Sequence, residues 1–181
     1  MNVSAALLVS LFLARAVDDP PLEPGFKLLF NWKTLDGWKE ASGKKEALDG
    51  KVEAFNGRFK VAEGRLVYDP AVKGDLHIET ARDFGKDVHI KFDFKPGEKC
   101  NNDLFLRGTK FDIVPGNKEC KSVKEGEWSV FEIVVAGDTI EHKIGGETVR
   151  TSKLKPDAAA TPCKLRAEFG ALEIRNVRVK E

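Results

Sequence analysis

The strongest constraint in this sequence is an alternation with a period of two. In 87–95, DVHIKFDFK, Val88, Ile90, Phe92 and Phe94 fall on one side, and His89, Lys91, Asp93 and Lys95 on the other. Successive strand side chains point to opposite faces, so the pattern predicts a β-strand with one buried face. The same period returns in 104–107 (LFLR), 110–114 (KFDIV), 129–135 (SVFEIVV), 138–144 (DTIEHKI), 164–169 (KLRAEF) and 172–179 (LEIRNVRV). Shorter candidates are 58–61, 65–68 and 75–80. Glycine-bearing turn signals separate these runs: Asn56-Gly57, Glu63-Gly64, Pro96-Gly97, Arg107-Gly108, Pro115-Gly116, Gly137-Asp138, Gly145-Gly146 and Gly170. No stretch has a helical period of useful length. Many short strands at this spacing predict an all-β domain over 26–181, a two-sheet antiparallel β-sandwich.

Two segments precede that domain. Residues 5–14, AALLVSLFLA, are apolar apart from Ser10, and Ala14-Arg15-Ala16 has the small-x-small form of a cleavage site. Such a run suits a secretory h-region and is too short to span a bilayer. Residues 1–16 are therefore expected to be a signal peptide, and the mature protein to be secreted or periplasmic. Residues 17–25 form a proline-rich lead-in unsuited to regular structure. Lys+Arg number 30 against Asp+Glu 29, a balance that excludes a generic nucleic-acid binder. No other apolar run approaches membrane length. About 165 residues would remain after cleavage, enough for one domain burying roughly 70% of its unfolded surface. The mature chain is expected to be a soluble monomer.

Export permits disulfides, and three cysteines allow one intrachain bridge. Cys100 and Cys120 flank a segment that reads as paired strands and are the expected couple, a link worth roughly 3 kcal/mol in the chain-entropy picture. Cys163 begins an apolar strand and reads as an inert buried thiol.

If the strands of 88–114 pair consecutively, Asp93, Arg107 and Asp112 share one side of three neighbours about 5 Å apart. A carboxylate–guanidinium–carboxylate cluster there could bind a polyol through forked hydrogen bonds, with one carboxylate as proton acceptor. The plainer alternative is a solvated salt-bridge ladder. Lys164, Arg166 and Glu168 make a second polar row. His89 shares a strand face with Asp93. Trp32 and Trp38 could stack on sugar rings or serve as core, and the same choice holds for Trp128. His77, His89 and His142 lie apart without a zinc-binding spacing, so no metal site is predicted. Phosphate-loop, dinucleotide and nucleophile-elbow motifs are absent.

Phe26–Trp38, FKLLFNWKTLDGW, resembles the opening "F-x-x-L-F-N-G-K-x-L-x-G-W" of the 3-keto-disaccharide hydrolase domain family. Further likenesses follow in order: Phe59–Val67, the charged strand of 88–95, Leu104–Arg107, Gly126-Glu127-Trp128 through Val135, and Leu172–Val179. The resemblance implies a concanavalin A-like jelly roll and an exported carbohydrate role. By position, Asp93 stands where members have Glu, Arg107 closes "G-I-x-L-R", and Asp112 stands at the Glu of "G-Y-E-x-Q". Asn101-Asn102-Asp103 replaces "N-S-G", Trp32 replaces the glycine of "F-N-G-K", and Arg166 stands where Gln is common.

What the resemblance implies is hydrolysis of a 3-keto-glycoside. A C3 ketone acidifies the C2 proton, so a carboxylate could start elimination of the C1 substituent, and water addition would follow. The expected catalytic set is Asp93, Arg107, Asp112 and Glu168, with Trp32, Trp38, His89, Asn101 and Arg166 in substrate binding. No redox cofactor is required, and a divalent metal is left open. The alternative is a non-catalytic glycan-binding module of the cell envelope on the same face, or a structural domain there.

Overall fold

The structure, a computed structural model, describes residues 21–155 and 157–181. The expected signal peptide and the start of the lead-in lie outside the described residues. Fourteen strands are present among them: β1 (Lys27–Leu28), β2 (Trp38–Glu40), β3 (Glu53–Ala54), β4 (Phe59–Ala62), β5 (Arg65–Tyr68), β6 (Leu76–Phe84), β7 (Val88–Pro96), β8 (Asn101–Leu106), β9 (Thr109–Ile113), β10 (Ser129–Ala136), β11 (Thr139–Ile144), β12 (Glu147–Lys153), β13 (Thr161–Phe169) and β14 (Leu172–Lys180). They form two antiparallel sheets and no helix. The larger runs β12-β11-β10-β7-β14-β5-β4-β3, with β1 beside β5 along the same edge of β14; the smaller runs β2-β6-β13-β8-β9. The predicted two-sheet sandwich is the observed architecture.

The alternating residues explain the layers. Val88, Ile90, Phe92 and Phe94 are buried between the sheets, together with Leu104, Leu106, Phe111 and Ile113 from the smaller one. Phe111 and Phe131 meet edge-to-face across the gap, with centroids 4.7 Å apart. Burying a side chain of this class contributes about 1.5–3 kcal/mol, so the period itself supplies the driving force for sheet-on-sheet packing. Hairpins close through Glu63-Gly64, Arg107-Gly108 and Gly145-Gly146, each with φ > 0 at both residues, the geometry that matches strand twist. In β14 the parity changes. Leu172 and Ile174 point inward, then Val177 and Val179 do, because a bulge between Arg175 and Arg178, with Asn176 at φ 56°, inserts one residue.

The expected disulfide is not formed: Cys100, Cys120 and Cys163 are all free and buried. Cys100 Sγ contacts the Ile113 carbonyl at 3.5 Å and Cys120 Sγ the Asp112 carbonyl at 3.6 Å. Successive carbonyls of one strand point to opposite edges, so the two thiols are held apart by β9.

Candidate functional site

The smaller sheet's outer face carries a connected polar array. Register sets His77 of β6 opposite Arg166 of β13, Arg166 opposite Asp103 of β8, and Asp103 opposite Asp112 of β9. One lateral row therefore crosses four strands. A second row alongside it holds Glu79, Lys164, Phe105 and Lys110. Arg166 is the hub. It donates two hydrogen bonds of 2.7 Å to Asp75 and one of 2.6 Å to Asp103, and lies 2.8 Å from Glu168. Lys110 Nζ is 2.5 Å from Asp112 Oδ1 and 3.7 Å from Asp103 Oδ1.

The two facing carboxyls differ in environment. Asp103's side chain is 0% exposed and Asp112's is 37% exposed. Burial raises the Asp103 carboxyl above its ordinary range, against the opposing pull of Arg166. At Asp112 burial pushes upward too, but Lys110 and the hydrogen bond from Asp103 hold it below the ordinary range. Asp103 Oδ1 has no hydrogen-bond partner, and Lys110 Nζ, at 3.7 Å, is the cation beside it. The pair thus sets a wholly buried carboxyl beside a partly exposed one and pushes their proton affinities in opposite directions, the pattern that separates acid and base roles between neighbouring carboxyls.

A cleft of about 730 Å³ adjoins the row, with Arg58 on its floor and Asp75, Glu168 and Phe169 among its walls. The register of β13 against β8 breaks between Arg166 and Phe169, and Asn102 repairs it. Its Oδ1 accepts from the Glu168 N–H and its Nδ2 donates to the Phe169 carbonyl, both at 2.9 Å.

The expected cluster of Asp93, Arg107 and Asp112 is not assembled. β7 pairs with β10 and β14, not β8, because residues 97–100 carry the chain from one sheet to the other. Asp93 lies on the larger sheet and accepts hydrogen bonds from Arg175 Nε at 3.2 Å and Asn176 Nδ2 at 2.6 Å. Arg107 is a turn residue at φ 52°. Its Nη2 donates to the Ala158 carbonyl at 2.7 Å, beside a separate hollow of about 400 Å³. Asp112, Arg166 and Glu168 are gathered on the smaller sheet, and Asn101 opens β8 opposite Phe169. His89 sits with Glu132 on the larger sheet, 2.8 Å apart.

Neither Trp32 nor Trp38 offers a stacking face. Trp38 is 1% exposed and donates Nε1–H to the Leu29 carbonyl at 3.0 Å. Trp32 is buried against Phe30 and takes φ 65°, a conformation glycine adopts freely. Trp128 is covered by Arg175, 3.9 Å above its ring. Asp103, Asp75 and Lys110 had not been anticipated. Extending the alternation of 104–107 back by one residue would have put Asp103 on the face of Phe105, and Lys110 shares the face of Asp112. Among the described residues no group of three His, Cys, Asp or Glu side chains is placed to hold a metal ion, and no helix is long and apolar enough to cross a membrane.

A model of the 3-keto-alpha-glucoside-1,2-lyase-like domain family matches residues 25–119. Among solved structures, a Parabacteroides distasonis protein whose name proposes a glycosyl hydrolase superposes with TM-score 0.66 at 18% identity, covering 86% of this chain and 93% of that one. A second protein from the same organism, with the same proposed activity, gives 0.55 at 17%, covering 80% and 98%. The carbohydrate-binding module CBM66 of Bacillus subtilis gives 0.51 at 12%, covering 81% and 96%. At these identities the likeness is one of fold. No curated protein matches the sequence.

Proposed function

We propose, from the premise that this chain belongs to the 3-keto-alpha-glucoside-1,2-lyase-like domain family, that it is an exported domain opening the glycosidic bond of 3-keto-α-glucosides. The Asp103–Asp112 pair, flanked by Lys110 and Arg166, is the observation that carries this reading. Asp112 takes the C2 proton that the adjacent ketone acidifies. Electrons from that C–H bond form the enolate, whose oxygen faces the cations of Lys110 and Arg166. Preorganised positive charge at a developing oxyanion is typically worth about 3–4 kcal/mol.

Collapse of the enolate forms the C1–C2 double bond and expels the C1 oxygen. That oxygen takes a proton from the Lys110 ammonium, which recovers one from Asp112 at 2.5 Å. Addition of water across the double bond completes net hydrolysis. Asp103, wholly buried, touches no substrate; it stands opposite Asp112 and anchors Arg166 and Lys110 beside it. Glu168 lines the adjoining cleft and accepts from substrate hydroxyls.

Sugar release from a 3-keto-disaccharide, followed by chromatography, tests the reaction. Asp112→Asn is expected to lower kcat by about 10²–10⁴, the range of a general base. Wild-type turnover in that variant, or none in the native chain, overturns the assignment. A second reading, glycan binding without chemistry, is favoured by the hydrogen bonds Arg166 already spends on fixed carboxylates. Saccharide binding without sugar release would select it.

A further inference from the structure

Phe169 is 60% exposed, the most exposed large hydrophobic residue among those described. A single exposed apolar side chain is ordinary on a protein surface. This one borders a cleft of about 730 Å³, within the size range of small-molecule sites, and its backbone is fixed from three directions. Asn102 Nδ2 donates to its carbonyl at 2.9 Å, and it is paired with Asn101. Gly170, at φ 69°, passes so close to β8 that a Cβ would stand 2.4 Å from the Lys99 carbonyl oxygen. The ring is therefore presented rather than left loose. Pro70 and Val72 add apolar wall, while Asp75 and Glu168 add two carboxylates held in place by Arg166.

A flat apolar plate beside fixed hydrogen-bond acceptors matches one ligand chemistry well. A pyranose ring has an apolar C–H face and a rim of hydroxyl donors. We propose that this cleft is a second-sugar subsite, in which a pyranose stacks on Phe169 and donates its hydroxyls to Asp75 and Glu168. The inference rests on the α-glucoside reading of the neighbouring carboxyl pair. From Arg166 to Asp112 the row crosses two strand spacings, about 10 Å, and Phe169 stands three residues further along β13, so a saccharide of at least two rings is needed to reach both sites. One ring lies at Asp112 and another on Phe169.

Maltose, which lacks the ketone and is not turned over, is the probe. Calorimetry and saturation-transfer NMR would be run on the native chain, Phe169→Tyr and Phe169→Ala, with circular dichroism to confirm that each is folded. The native chain and the tyrosine variant are expected to bind, and the alanine variant to bind about tenfold more weakly. Equal affinity in Phe169→Ala, or no maltose binding by the native chain, overturns the subsite. Turnover of 3-keto-maltose is scored separately. Phe169-dependent binding without turnover removes the reaction and keeps the subsite; turnover with Phe169-indifferent binding does the reverse.

Discussion

Arg166 contacts three carboxylates at once, and one of them, Asp103, has no solvent exposure. Removing one partner of a buried pair costs far more than the pair's net contribution, about 3–5 kcal/mol. Arg166→Ala should lose that much in urea denaturation, and adding Asp103→Asn should restore part of it, since an amide needs no counter-charge. A loss below about 1 kcal/mol would show that Asp103 needs no guanidinium beside it. Much of this chemistry was legible in the sequence. Asp112, Arg166 and Glu168 alternate with apolar neighbours, which marked them as outward-facing. Asp103 was hidden because its stretch, Asn101-Asn102-Asp103, looks like a loop; only pairing with Asp112 and Arg166 makes it strand. Arg107 carried two signals in conflict, an alternating position and an Arg-Gly turn, and the turn prevailed.

Strand period is a local property, and nearly every alternating run became a strand with the anticipated face inward. Which sheet a strand joins is not local. β7 and β8 are consecutive, yet the turn at 97–100 separates them into different layers, and no pattern inside either strand records that choice. β12 went unread because an edge strand buries little and shows no clear alternation. The connection between β13 and β14 supplies a test at this scale. Gly170 has φ 69° and backbone atoms of Lys99 within 2.5 Å of where a Cβ would sit. Gly170→Ala meets both a left-handed conformation and a collision with backbone, and overpacking alone costs about 1–3 kcal/mol. A lowered midpoint in thermal unfolding is expected; an unchanged midpoint would mean the turn relaxes without cost.

Across the molecule, the two sheets share one core, and a histidine stands inside it. His142 is 0% exposed and stacks on Phe111 at 5.0 Å. Burial, with Arg150 nearby, depresses it from 6.5 to about 3. The unfolded chain then binds the extra proton between those values, so stability falls with falling pH from about 6.5 to 3, by about 1.4 kcal/mol per unit. His142→Phe should flatten that stretch of the pH–stability curve, while an unchanged slope would place its origin elsewhere. The same interior pushes the thiols of Cys100 and Cys120 up to about 11 and that of Cys163 to about 12. Near neutrality, then, only about one sulfur in 10⁴ at Cys100 or Cys120 is a nucleophile. Alkylating reagents and oxidised glutathione will find these positions silent until the sandwich opens, so the rate at which they become labelled is a clock for global opening.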